Sequence, residues 1–193
     1  MLDNDQQLVE QARQDPAAFG ALYDRYVDRI FVYTARLMQD DAAAQDVTAV
    51  TFEKALKQIR RYEWQAHGFG PWLYRIARNE ALSKLRRQKW LSPSQFFGKQ
   101  WFGQTELRAT ETAVQTRQTN QTIHRALARL RPKDRDIIVL RYLEELSSED
   151  VAEILACSTD VVYVRLHRAL ARLRAELEGD LPAPSREVNP HVS

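Results

Sequence analysis

Residues 69–87 read FGPWLYRIARNEALSKLRR, and this stretch decides how the rest of the chain is read. Gly70 and Pro71 predict a sharp helix start, since proline suits the first turn and has no N–H to leave unpaired there. Trp72, Ile76, Ala77 and Leu85 then recur at helical spacing, with Leu73 and Leu82 flanking the stripe. Arg75, Arg78, Lys84, Arg86 and Arg87 occupy much of the remaining surface, and Glu80 is the one acid among them. One face of this helix calls for a protein core and the other for a polyanion. By itself such a helix is equally an amphipathic one with a solvated charged face.

The surroundings favour the polyanion. Residues 54–100 carry 11 Lys and Arg against 2 Asp and Glu. The same window holds Tyr62, Trp64, Phe69, Trp72, Tyr74 and Trp90. Cations interleaved with aromatics suit single-stranded nucleic acid, with charge for phosphates and flat faces for unstacked bases. The net charge of +2 over 193 residues hides this asymmetry, because residues 1–53 carry 4 basic and 10 acidic side chains. An acidic front and a basic middle predict two different partner surfaces.

No segment alternates apolar and polar residues like a strand, and the chain reads as all-α, in two small helical domains joined by a linker. The predicted boundaries are 1–90, a linker at 91–119, 120–178, and a disordered tail at 179–193. In the first part, Asp15-Pro16 opens a helix whose face is Phe19, Leu22, Tyr23, Tyr26, Ile30, Tyr33 and Leu37. A third helix, about 42–60, offers Val47, Val50, Leu56 and Ile59 as core, with Phe52 on another side. Residues 60–70 have no helical period and read as a loop. The linker is punctuated by Pro, Ser and Gly yet carries Trp90, Phe96, Phe97, Trp101 and Phe102, so it is expected to pack on something.

In the second part, residues 133–143 predict a helix with Ile137, Ile138, Leu140 and Tyr142 as core. Ser147 caps a short helix, residues 156–158 form a tight turn, and a long last helix follows from Thr159 with Val162, Leu166, Ala169, Leu170 and Leu173 on one side. Short helix, tight turn and basic second helix make a helix-turn-helix.

WLYRIARN followed by its basic run resembles the promoter −10-reading helix of bacterial RNA polymerase sigma factors, and the short chain is similar to their extracytoplasmic-function (ECF) group. The run LRPKDRDIIVLRYLEELSSEDVAEILACSTDVVYVRLHRALARLR, ending at Arg174, resembles sigma region 4. The resemblance implies a factor that binds core RNA polymerase, through clamp and flap, and directs promoter-specific initiation on duplex and single-stranded DNA. It implies −10 contacts at Tyr62, Trp64, His67, Arg75, Arg78, Asn79, Lys84, Arg86 and Arg87. It implies −35 contacts at Thr159, Tyr163, Arg165, His167, Arg168 and Arg172. Residues 46–55 are similar to the clamp-docking segment, with Asp46, Val47, Val50, Phe52 and Lys54 as the contacts. An anti-sigma factor is a further partner that the resemblance suggests.

The chain departs from the family pattern at Val50, where an acid is usual, at Ala156, where the turn glycine is usual, and at Asp160, Val161, Tyr163 and Val164 in the recognition helix. Val50, Asp160 and Tyr163 keep open the alternative of a protein-interaction adaptor, and use of the helix-turn-helix alone keeps open that of a DNA-binding regulator that works without polymerase.

Enzyme chemistry is not in view. His67, His124, His167 and His191 lie far apart and Cys157 is the sole cysteine, so no zinc spacing and no disulfide framework exist. There is no phosphate-cradling GxxxxGK[ST] loop and no GxSxG elbow. No cofactor and no metal are expected. No apolar run nears the roughly 18 residues that span a bilayer, and the acidic start is unlike a secretory signal, so a cytoplasmic home is expected.

Overall fold

A computed structural model of the chain describes residues 2–91 and 122–179. Among these residues the secondary structure is helical, with no strand. The expected linker packing and the expected disordered tail lie outside the described residues.

The first unit holds α1 (Leu2–Gln14), α2 (Phe19–Met38), α3 (Asp41–Gln58) and α4 (Phe69–Leu91). Between α1 and α2, Asp15 caps a 3-10 turn at Pro16–Ala18, its carboxylate accepting from the Ala17 N–H at 2.9 Å. Asp40 caps α3 in the same way through the Ala43 N–H at 3.0 Å. The predicted stripe of α2 is buried at Phe19, Leu22, Tyr26, Ile30, Tyr33 and Leu37, but Tyr23 is 44% exposed.

On α3 the buried face differs from the expected one. Val47 and Ile59 are core, but Phe52 is core too, while Leu56 is 40% exposed and Val50 only half-buried. The cause is that α3 packs on α2 and α4 together. Small side chains at Ala43, Ala44, Thr48, Thr51 and Ala55 let those helices approach, and the Thr34 and Thr48 hydroxyls meet at 3.2 Å. On α4, Trp72, Leu73, Ala77 and Leu85 are buried, and Ile76 is half-buried.

The second unit holds a helix over residues 122–129 (α5), α6 (Pro132–Ile138), α7 (Ser148–Leu155) and α8 (Thr159–Gly179). From α6 the chain runs into a π-helical turn at Val139–Leu143, closed by the Glu144 N–H on Val139 O at 2.9 Å. The wider turn shifts the helical register. Ile137, Ile138 and Leu140 are buried as expected, but Tyr142 is turned out, 51% exposed, with the Arg141 guanidinium 5.8 Å from its ring centre.

Ser147 caps α7, its hydroxyl accepting from the Asp150 N–H at 3.0 Å. Ala156 ends α7 in the left-handed region at φ 51°. Val162, Leu166 and Ala169 fix α8 on α6 and α7.

The two units pack on each other. Helix α4 lies against α7, and α2 touches α6 and the π turn. Arg135 pins that junction, buried to 6% exposure. Its Nε donates to Leu127 O at 2.9 Å, its Nη2 to Ala128 O and Leu130 O, and its Nη1 to Leu37 O at 2.7 Å. One guanidinium thus satisfies carbonyls at the C-terminal ends of both α5 and α2, where helix dipoles favour a cation. Burial pushes its pKa down to about 10, so it stays charged at neutral pH.

Candidate nucleic-acid interface

The loop before α4 is built on an aromatic knot. The Tyr62 ring lies 4.7 Å from that of Trp72, 5.8 Å from Phe69 and 6.4 Å from Trp64. Its hydroxyl donates to Gly68 O at 3.0 Å, and burial pushes its pKa up. Gly68 sits at φ 76°, where a side chain would be strained, and its N–H closes the turn on Gln65 O at 2.9 Å. Tyr62 is only 4% exposed, so in this conformation its ring holds the loop and is not displayed. Trp64 is half-buried at the edge of the knot and is the aromatic with an open face.

Two cations of α4, Arg75 and Arg78, and His67 in the loop before it face acids of the second unit. Arg75 Nη1 donates to Glu153 at 2.9 Å, and His67 Nδ1 lies 3.3 Å from Asp150. Arg78 Nε donates to Asp136 at 2.6 Å. Asp136 is wholly buried and accepts a second bond, at 2.8 Å, from the Tyr33 hydroxyl. Burial holds the Asp136 carboxyl above its ordinary range, against the opposing pull of Arg78. Glu144 repeats the pattern, accepting from Tyr74 at 2.8 Å and Arg36 at 3.0 Å, and burial raises its pKa too. Lys84 reaches back to Asp46 at 2.8 Å. Asn79, Arg86 and Arg87 are exposed.

Those acids are the part of the site that sequence reasoning missed. Asp136 lies on α6, Glu144 just after the π turn, and Asp150 and Glu153 on α7, and only the folded packing of the second unit on the first aligns them. The acidic block of the sequence, residues 1–53, contains none of these four acids, so charge patterning did not point to them.

On α8 the outward face is open. Tyr163 is 58% exposed, and Arg165, His167 and Arg168 are exposed beside it. Arg172 is paired with Asp134 at 2.6 Å, and Thr159 is half-buried at the helix start. On α3, Asp46 is exposed, Val50 is half-buried, and Lys54 donates to Glu80 at 2.5 Å. Val47 and Phe52 are core, which leaves them to shape the surface and not to form it. Sequence reading also missed Tyr23, whose ring meets Phe52 at 4.8 Å and which is exposed, as is Leu56. A break in the apolar period at Leu56 is the signal that was available. Among the described residues no three His, Cys, Asp or Glu side chains are grouped to hold a metal.

Residues 22–91 match sigma-70 region 2 and residues 120–173 match sigma-70 region 4. The RNA polymerase sigma-H factor of Pseudomonas aeruginosa is 31% identical over 176 residues, covering 86% of this chain and 90% of that one. The ECF sigma factor SigW of Bacillus subtilis is 29% identical, covering 88% of this chain and 94% of that protein. The chain is an ECF sigma factor. It therefore works as the subunit that directs core RNA polymerase to promoters, and sigma factors are not themselves enzymes. The fold agrees with that of RpoE, solved in complex with the anti-sigma factor NepR from Bartonella quintana. There the TM-score is 0.66 at 23% identity, over 84% of this chain and 98% of that one. Sigma-factor similarity along most of the chain's length favours this reading over a free-standing regulator or an adaptor. No helix among the described residues is long and apolar enough to cross a membrane.

Proposed function

We propose that this sigma factor divides its work between two units, residues 1–90 and 120–178, and that in the free chain the second unit covers the −10 surface of the first. The carrying observation is that Arg75, Arg78 and His67 are each held by an acid of the second unit. A carboxylate and a DNA phosphate compete for the same guanidinium, so the strand and the closed arrangement exclude each other at these residues.

In this reading α3 docks on the polymerase clamp through Asp46, Val50 and Lys54, with Tyr23 and Leu56 adding apolar surface. Docking draws the units apart in the cytoplasm, where the polymerase works. Arg75, Arg78, Asn79, Lys84, Arg86 and Arg87 then grip the non-template strand. Trp64 and His67 receive a base that has left the stack, a step that costs a few kcal/mol and needs an aromatic wall and a hydrogen-bonding group. Tyr62 holds that wall in place. Helix α8 meets −35 DNA through Thr159, Tyr163, Arg165, His167, Arg168 and Arg172, and the unit that carries it engages the flap. RpoE was solved with an anti-sigma factor bound, and an inhibitor of that class would act on this chain by stabilising the closed arrangement.

Run-off transcription tests the assignment. Core polymerase from the source organism is supplied with the protein on a library of that organism's promoters. New start sites that depend on the protein support it. Binding to core without new transcripts contradicts it.

A further inference from the structure

We propose that α8 reads its duplex chiefly by packing Val161 and Val164 on thymine methyl groups, and not by forking cations onto guanine. The inference rests on α8 being the −35 helix, and it names the chemistry that helix recognises. In a recognition helix the N-terminal residues are the ones that reach base edges. Here the first two turns carry Asp160, Val161, Tyr163 and Val164, all exposed, and the first cation is Arg165. Val161 is 36% exposed and Val164 50%, although the helix has a full buried stripe at Val162, Leu166 and Ala169 for its core. The two valines are three residues apart and lie side by side on the helix surface.

Each valine is followed one turn later by an exposed arginine, Val161 by Arg165 and Val164 by Arg168. Apolar side chains at the tip and cations one turn behind match the major groove, where the base floor is flanked by phosphates. Valine can neither donate nor accept a hydrogen bond. On the major-groove floor the one apolar group is the C5-methyl of thymine. Asp160, an acceptor only, disfavours the acceptor-rich edge of guanine and tolerates the amino group of cytosine. The cations behind it supply affinity, and the valines supply selection.

The test uses the full chain assembled with core polymerase. The −35 segment is selected from randomised duplex DNA carrying a fixed −10 segment. Each thymine of the selected duplex is then replaced by deoxyuridine, which removes the methyl and leaves every hydrogen-bonding group. The expected result is thymine at fixed positions, with about a threefold to fourfold loss of affinity per methyl removed at those positions, the worth of one buried methyl. Val164→Ala, at an exposed position, then loses that sensitivity at one of them. Equal binding of thymine and uracil duplexes overturns the inference, as does selection of guanine-rich sites without thymine. Binding that is unaffected by randomising the whole −35 segment overturns the assignment of α8 itself. Loss of polymerase binding in Val164→Ala on a promoter-free assay shows instead that this face docks protein, and overturns it too.

Discussion

Arg78 of the −10 helix donates to Asp136 at 2.6 Å, although the two residues are 58 positions apart and Asp136 has no exposure to solvent. A buried carboxylate held by Arg78 and Tyr33 is costly unless both stay in place. The pair therefore ties the basic face of α4 to the second unit, and each partner's removal has a different consequence.

Arg78→Ala strands a buried charge and is expected to cost about 3–5 kcal/mol in urea unfolding. Glu153→Gln keeps the shape and removes the charge opposite Arg75, whose guanidinium Glu153 holds at 2.9 Å. It is expected to loosen the closed arrangement and raise the free chain's affinity for single-stranded −10 DNA by up to about tenfold, the size of one charged hydrogen bond. Unchanged or weaker binding by the Gln variant contradicts mutual exclusion.

The closed arrangement has a defined pH response. Burial raises the pKa of Asp136 and of Glu144, so the closed form binds protons more readily than the open form, in which these carboxyls meet water. The penalty for closing is full above the raised pKa and vanishes below the ordinary carboxylate value of about 4. Acidification from neutral through that window is expected to increase the closed fraction. The stability difference between wild type and Asp136→Asn, followed by urea unfolding, shows how much of this belongs to Asp136. A difference that does not change with pH contradicts the assignment.

Exposed cations at the C-terminal end of α4 should act through phosphates alone. Arg86→Ala with Arg87→Ala is expected to lower the slope of log affinity against log salt by about 0.7 for each phosphate that is no longer neutralised on single-stranded DNA. An unchanged slope shows that these arginines do not touch the strand.

Trp64→Ala is expected to impair promoter opening, read by the fluorescence of 2-aminopurine in the −10 segment, more than it impairs polymerase binding. Equal loss of both makes Trp64 a structural part of the aromatic knot.

Ala156 holds a left-handed conformation at φ 51° that glycine adopts freely. Ala156→Gly is expected to stabilise the second unit by about 1 kcal/mol, seen as a higher urea midpoint at unchanged slope. A lower midpoint shows that the turn has relaxed the strain by other means.

Much of this was legible in the sequence. The helices, the caps at Asp15 and Ser147, and the stripe of α2 follow from local spacing and side-chain chemistry. The faces of α3 were not legible, because small residues shared between two neighbouring helices bury Phe52 and leave Leu56 outside. Tyr142 was misread because a π turn adds a residue to the register, and no local pattern announces it. The basic residues of α4 were visible as a set, but their partners were not, since a pair such as Arg75 and Glu153 is made by tertiary packing alone.

The most direct test is a distance between the units. Spin labels at Ala42→Cys on α3 and Ala171→Cys on α8, both exposed, in a Cys157→Ser background, report the separation by pulsed resonance. One short distance in the free chain, replaced by a longer one in the polymerase–promoter complex, is the predicted result. The same distance in both states would contradict closure over the −10 surface.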